Sequence, residues 1–277
     1  MKIDFHVHIT PPDITADFKR YAENEPYFYM MSQSKVNKFA EAEDVLEMLD
    51  KNNFDKAVVF GFAFRDIGLC RYVNDYVIEK TKQYPEKLAG FAVTPPVKEA
   101  YKEIERCFNL GLKGVGELFP EGQEIDLENE NAVKTITQAC REFNLPLLIH
   151  ANEGVGHLYP GKAGTTLKQI ENFIMNNPDL KIILAHLGGG LLFYETMKEI
   201  KNGFVNVHYD ISAAPFLYDF RIYNIIKALG IADNILFGSD FPLLAPSRYL
   251  NDINKSDLTD NEKKLILCDN AEKLLNI

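Results

Sequence analysis

A closed (β/α)8 barrel is the fold class that this chain predicts, and three observations carry that expectation. Short apolar runs alternate with longer amphipathic stretches from end to end, the pattern of repeated β-α units around a parallel sheet. Eight such runs fit into 277 residues, close to the roughly 250 residues of a typical barrel. Several runs stay apolar until their last residue and end in histidine or aspartate. The runner-up, a doubly wound open sheet, lacks its usual signature: no Gly-x-Gly-x-x-Gly follows the first strand and no Walker-type loop is present.

In order, the predicted strands are 3–8, 56–60, 88–93, 114–118, 147–150, 182–186, 205–211 and 235–240. Helices are expected over 43–52, 69–84, 97–110, 131–143, 166–176, 191–200 and 218–229, with 247–250 and 260–275 closing the chain. Asp260 to Glu262 supply a cap and an acidic first turn for the last of these. The glycine run Gly188 to Gly190 begins a helix after strand six, as an anion site at its N-terminus or simply a tight turn. No linker divides the chain, so residues 1–277 are expected to form one domain. Its irregular part is an insertion at about 10–40, rich in aromatics: Tyr21, Tyr27, Phe28, Tyr29 and Phe39 lie among Pro11, Pro12 and Pro26. Such a loop leaves the C-terminal rim of a barrel, where it serves as a lid over the site or packs against the barrel or a second subunit.

Composition narrows the function. A hydrophobic share of 46%, with 25% charged residues, is ordinary for a globular chain. The net charge of -10 argues against nucleic acid or anionic membrane as a partner and leaves a small molecule as the expected ligand. No run approaches the roughly 20 apolar residues of a membrane helix. Cys70, Cys107, Cys140 and Cys268 are widely spaced without a C-x-x-C pair, and no signal-peptide pattern is visible. Both fit reduced thiols in the cytoplasm.

The chemistry begins in strand one, which ends His6-Val7-His8. Side chains alternate along a strand, so the two imidazoles share a face. Strand five ends at His150, strand six at His186 and strand eight at Asp240. In a parallel barrel all these ends lie on one rim, where five potential ligands can gather around a metal. On strand four, Lys113, Val115 and Glu117 share a face by the period of two. Lys113 then lies roughly 13 Å below Glu117, too low to reach the site, while Glu117 is at ligand height. Glu117 reads either as a ligand or as a carboxylate that accepts a hydrogen bond from a ligand histidine. His208, inside strand seven, reads as structural. Asp210 is nearer the rim, and the pattern does not settle which face of that strand is inside.

The motifs His6-Val7-His8, Ile149-His150-Ala151-Asn152, Ala185-His186-Leu187-Gly188-Gly189-Gly190 and Phe237-Gly238-Ser239-Asp240-Phe241-Pro242 together resemble the amidohydrolase superfamily. The similarity is to its amidohydrolase-related branch, which includes aminocarboxymuconate-semialdehyde decarboxylase, and it covers nearly the whole chain. It implies a metal-dependent barrel enzyme in which His6, His8 and His150 bind the metal and Asp240 is both ligand and base. His186 then either orients the water or binds a second ion. The Gly116-Glu117 pair resembles the bridging glutamate of TatD-like nucleases in the same superfamily. One or two divalent ions are expected, zinc first, although the same donors accept manganese or iron. Dimers are common in the resembling family, so a homodimer is compatible with it.

Hydrolysis of a C–N or C–O bond in an amide, lactone or ester is the leading expectation, and non-oxidative decarboxylation of an aromatic or enoic acid the alternative. The latter would need Arg65 or Arg248 as a carboxylate clamp. A non-catalytic metal-binding barrel would be expected to lack Asp240, and nuclease activity is opposed by the acidic balance. Substrate contacts are expected from Asn152 and His157 in the loop after strand five, and from Arg65 after strand two.

Overall fold

The computed structural model describes residues 1–35 and 39–277. Its strands are β1 (Ile3–His8), β2 (Lys56–Phe60), β3 (Leu88–Ala92), β4 (Gly114–Leu118), β5 (Leu147–Ile149), β6 (Ile182–Leu184), β7 (Val207–Asp210) and β8 (Ile235–Leu236). They pair in parallel in the order β1 to β8. The ring closes through backbone hydrogen bonds between β1 and the extended segment after β8. Phe5 N–H donates to the Phe237 carbonyl at 2.6 Å, Asp240 N–H to that of His6 at 2.9 Å and His8 N–H to that of Phe241 at 2.8 Å.

All eight predicted strands are present, but several end earlier than expected. β5 stops before His150, β6 before His186 and β8 before Asp240. These residues stand on the turns that leave the strands, where the backbone departs from the ladder to aim a side chain at the axis. His186 and Asp240 both adopt left-handed backbone, with φ of 56° and 58°, a conformation that costs a non-glycine residue roughly 1 kcal/mol or more. The run His186–Gly190 stays left-handed throughout, so the glycines do not begin an α-helix, and the predicted helix over 191–200 gives way to short 3-10 turns and a helix at Lys198–Gly203. Gly189 is needed here: with φ at 61°, a Cβ would lie 2.3 Å from the Asn152 carbonyl oxygen.

Apolar side chains divide into a shell between sheet and helices and an interior. Ile3, Phe5, Val58, Phe60, Phe91, Leu148, Ile183 and Leu236 fill the interior together with Ala271, Leu274 and Leu275 of the last helix, which plugs the lower end. That helix is capped by Thr259 and Glu262, each side chain accepting from the other's backbone N–H, and a π-turn at Leu265–Asp269 interrupts it. Three short helices, Pro12–Ala16, Phe18–Ala22 and Pro26–Ser32, build the aromatic insertion; Val36, Asn37 and Lys38 lie outside the described residues. Among the described residues no helix is long and apolar enough to cross a membrane, and all four cysteines are free and buried.

Candidate metal centre

β4 corrects one expectation. Val115 faces the helical shell while Glu117 turns inward, because the pairing with β5 slips between Val115 and Leu118. Gly116 makes the slip at φ 122°, where a Cβ would meet the Leu148 carbonyl oxygen at 2.2 Å. Lys113 is exposed, away from the site.

Six predicted residues converge at the upper end of the barrel. The donor atoms of His6, His8 and Asp240 lie within 4.8 Å of one another, and so do those of Glu117, His150 and His186. Glu117 joins the two groups. Its Oε2 faces His6 Nε2 at 3.6 Å and His8 Nε2 at 3.5 Å, whereas its Oε1 faces His150 Nδ1 at 2.9 Å and His186 Nε2 at 3.5 Å. Asp240 Oδ1 lies 3.7 Å from His6 Nε2 and 3.4 Å from His8 Nε2.

Three of the four imidazoles are aimed by a contact on their other nitrogen, an arrangement that fixes tautomer and orientation in metal-ligating histidines. His6 Nδ1 lies 2.8 Å from Asp210 Oδ2, His150 Nε2 3.1 Å from the Gly161 carbonyl and His186 Nδ1 3.1 Å from the Ser212 carbonyl. Asp210 was not resolved by the sequence pattern, yet it is fully buried and also accepts from the backbone N–H groups of His186 and Ser212 at 3.1 and 3.0 Å. The signal for it was its place beside the end of β7, the same rule that found the other donors. A second buried carboxylate, Asp4, was missed altogether. It accepts from Ser239 N–H at 2.8 Å and from the Ser239 hydroxyl at 2.6 Å, pinning the segment that carries Asp240 to β1, and burial pushes its pKa up to about 7 against those hydrogen bonds.

Burial opposes every charge here, but the charges answer one another. Against burial, the charges of His6 and His150, with hydrogen bonds from His150 and His186, hold Glu117 well below the usual carboxylate range. Asp240 is likewise drawn down to about 2 by its His8 hydrogen bond and the charges of His6, His186 and His8. In return, and again against burial, Asp210 and Glu117 raise His6 well above an ordinary imidazole, and Glu117 and Asp240 lift His186 to about 9. This is a cavity that favours positive charge. His6 Nε2 is buried without a hydrogen-bond partner and points at two carboxylates. Imidazole and carboxylate together suit a divalent ion of the zinc, manganese or iron class, so the donors fit the expected metal.

The other predicted contacts fare differently. The Asn152 amide donates to the Ala163 carbonyl at 3.1 Å and accepts from its N–H at 2.7 Å, clasping the two ends of the 153–163 loop. His157 is exposed on that loop, its ring against Tyr159. Arg65 pairs with Glu124 at 3.0 Å, and Arg248 is exposed. The aromatic insertion reaches the site through intermediaries. Phe28 packs on Phe62, which stacks on His8 at 4.9 Å and 14°, and Tyr27 packs on Phe119, which meets His150 edge-on at 4.4 Å. It thus packs on the barrel and buttresses the site together.

The family model for amidohydrolases matches residues 3–277. No curated protein matches the chain. Solved structures do, at low identity: 5-carboxyvanillate decarboxylase from Sphingomonas paucimobilis aligns with a TM-score of 0.81 at 16% identity, covering 100% of this chain and 99% of that one. The 5-carboxyvanillate decarboxylase of Novosphingobium aromaticivorans, complexed with manganese and 4-hydroxy-3-methoxy-5-nitrobenzoic acid, gives 0.77 at 16% over 100% and 96%. A probable 2-pyrone-4,6-dicarboxylic acid hydrolase from Acinetobacter baumannii, with citric acid bound, gives 0.69 at 17% over 100% and 99%. At such identities the structures share the fold, and the match to the family model over nearly the full length places this chain in the amidohydrolase family.

Proposed function

We propose that this protein is a metal-dependent hydrolase that cleaves a C–N or C–O bond of a small amide, lactone or ester. The observation that carries the reading is the split of Glu117, one oxygen toward His6 and His8 and the other toward His150 and His186. In this reading His6, His8 and Asp240 would hold one divalent ion, zinc or manganese, His150 and His186 would hold a second, and Glu117 would offer one oxygen to each. Bound ions of this class make water reactive at neutral pH and polarise a carbonyl group. Asp240, held ionised, takes a proton from the attacking water and returns it to the leaving group. His186, locked on Ser212, presents Nε2 to the same space. His157 is the free polar side chain of the loop for substrate contact, whereas Asn152 acts through the loop it clasps.

Two measurements test this. Metal analysis of the saturated protein should give two ions per chain, and Glu117→Gln should give one; a single ion in the wild type removes the bridging role. Pooled lactones, amides and esters should release acid, and pooled aromatic carboxylates should release no carbon dioxide. The opposite pattern would establish decarboxylation, a second reading that rests on the fold shared with 5-carboxyvanillate decarboxylases.

A further inference from the structure

The two donor groups hang from different elements. Asp240 belongs to the segment after β8, whereas His186 stands on the turn after β6, its Nδ1 3.1 Å from the Ser212 carbonyl and 2.8 Å from the Ser212 hydroxyl. Among the described residues the backbone ladder between β7 and β8 ends with Ile211 N–H donating to the Leu236 carbonyl at 3.1 Å, short of both Ser212 and Ser239. What spans the gap is Tyr249, on the helix Pro246–Lys255. Its hydroxyl donates to the Ser239 carbonyl at 2.6 Å and accepts from Ala213 N–H at 2.9 Å. Ser239 precedes Asp240 and is held on its other side by Asp4 of β1; Ala213 follows Ser212 and is left-handed, with φ of 56°. Contacts therefore run from Asp240 through Ser239, Tyr249, Ala213 and Ser212 to His186.

A phenol suits this place. Its oxygen both donates one proton and accepts, and here the Ala213 N–H can only donate and the Ser239 carbonyl only accept, so the direction of both bonds is fixed. The ring has two torsions and packs edge-on against Phe237, with centroids 5.5 Å apart at 65°. Tyr249 and Ser239 are fully buried, and Tyr249 touches no donor atom itself. The neighbouring helix Arg221–Leu229 carries a natural control. Tyr223 is buried to almost the same degree, at 1% exposure, yet its hydroxyl has no hydrogen-bond partner. The same side chain thus occurs twice, once bridging the two turns and once packing alone.

We infer that Tyr249 is a positioning residue for the metal centre, the strut that fixes Asp240 and His186 relative to one another. The inference rests on the reading of these donors as a metal centre and not on which bond the enzyme cleaves. Tyr249→Phe keeps the ring and its packing and removes both bonds at once. Two measurements follow, neither of which uses turnover. In the metal-free protein with 15N-labelled histidines, the ring-nitrogen signals of His186, identified by their loss in His186→Gln, should shift in Tyr249→Phe and stay in place in Tyr223→Phe. Zinc affinity, read by competition with a chromophoric chelator, should fall about fivefold or more in Tyr249→Phe, as for other residues that orient metal ligands, and stay at the wild-type value in Tyr223→Phe. His186 signals that do not move, or that Tyr223→Phe moves as far, overturn the inference, and so does wild-type zinc affinity in Tyr249→Phe. A lower denaturant midpoint alone would leave Tyr249 an ordinary core residue and overturns it too. If the wild-type protein takes up no zinc or manganese, the proposed function fails, and the histidine signals of the metal-free protein still decide for or against the strut.

Discussion

The lower end of the barrel interior holds the rings of Phe5, Phe60 and Phe91 against Ala271, Leu274 and Leu275, while the upper end holds four imidazoles against three ionised carboxylates, Glu117, Asp210 and Asp240. Both are buried to a similar degree. Below, the strands obey their alternation and each ring is matched by shape: Gly114 leaves room for Phe91, whose ring would lie 2.4 Å from a Cβ at that position. Above, the regular backbone gives out, with a slip in β4, another in β1 and left-handed residues at His186 and Asp240. Regular strands make the apolar plug, and departures from them aim the donors. The difference means that stability and chemistry can be broken independently.

The largest effect should come from the upper end. Asp240→Asn keeps the shape but removes the group that accepts a proton, and it should lower kcat by roughly 10³- to 10⁴-fold. Most of the metal should remain, since His6, His8 and Glu117 would still offer their donor atoms to it; turnover assays with metal analysis on the same preparation check both, and near-normal turnover would take Asp240 out of the mechanism. At the lower end, Phe91→Ala should cost about 3–5 kcal/mol of stability with unchanged metal content. Denaturant midpoints read the loss, and metal loss at native conditions would show the two ends to be coupled.

The same contrast explains what could be read in advance. Strand-end histidines and Asp240 were legible because a period of two and a parallel rim are enough to converge them, and so was the ring of eight strands. The inward turn of Glu117 was legible by height but not by face, since the Val115–Leu118 slip depends on how β4 meets β5. Asp4 and Asp210 were hidden for a related reason. Each acts across two strands, on Ser239 from β1 and on His6 from β7, and no pattern within one strand contains such a partnership. The triple glycine was visible, but its left-handed path brings Gly189 against the Asn152 backbone, a contact between two loops that no local pattern contains.

Asp210 offers a smaller and more selective test of the upper end. It touches no predicted substrate position, and it holds His6 at Nδ1 while tying the backbone of His186 to Ser212. Asp210→Asn should weaken metal affinity about 10- to 100-fold, so activity should return when metal is added in excess. Competition with a chromophoric chelator measures the change. An affinity equal to wild type would mean that His6 is aimed by packing against Phe60 instead.

The smallest effect lies two residues from Asp210, where His208 shows what the lower end does to an imidazole. It pairs in register with Ile183 of the interior, and its Nδ1 is buried without a partner. Burial, together with the charges of Lys273 and Lys181 and against that of Asp233, pushes its pKa down to about 4, the opposite of His6 and His186 above. Between pH 4 and the ordinary 6.5 the unfolded chain therefore binds a proton that the folded chain refuses. The contribution is complete above pH 6.5 and is lost as pH falls toward 4. His208→Gln should flatten the acid limb of the stability profile by at most one proton, about 1.4 kcal/mol per pH unit. Denaturant titrations at half-unit pH steps would show the wild-type profile falling more steeply than the variant's between pH 6.5 and 4; parallel profiles would mean that His208 reaches water and is not held neutral by the plug.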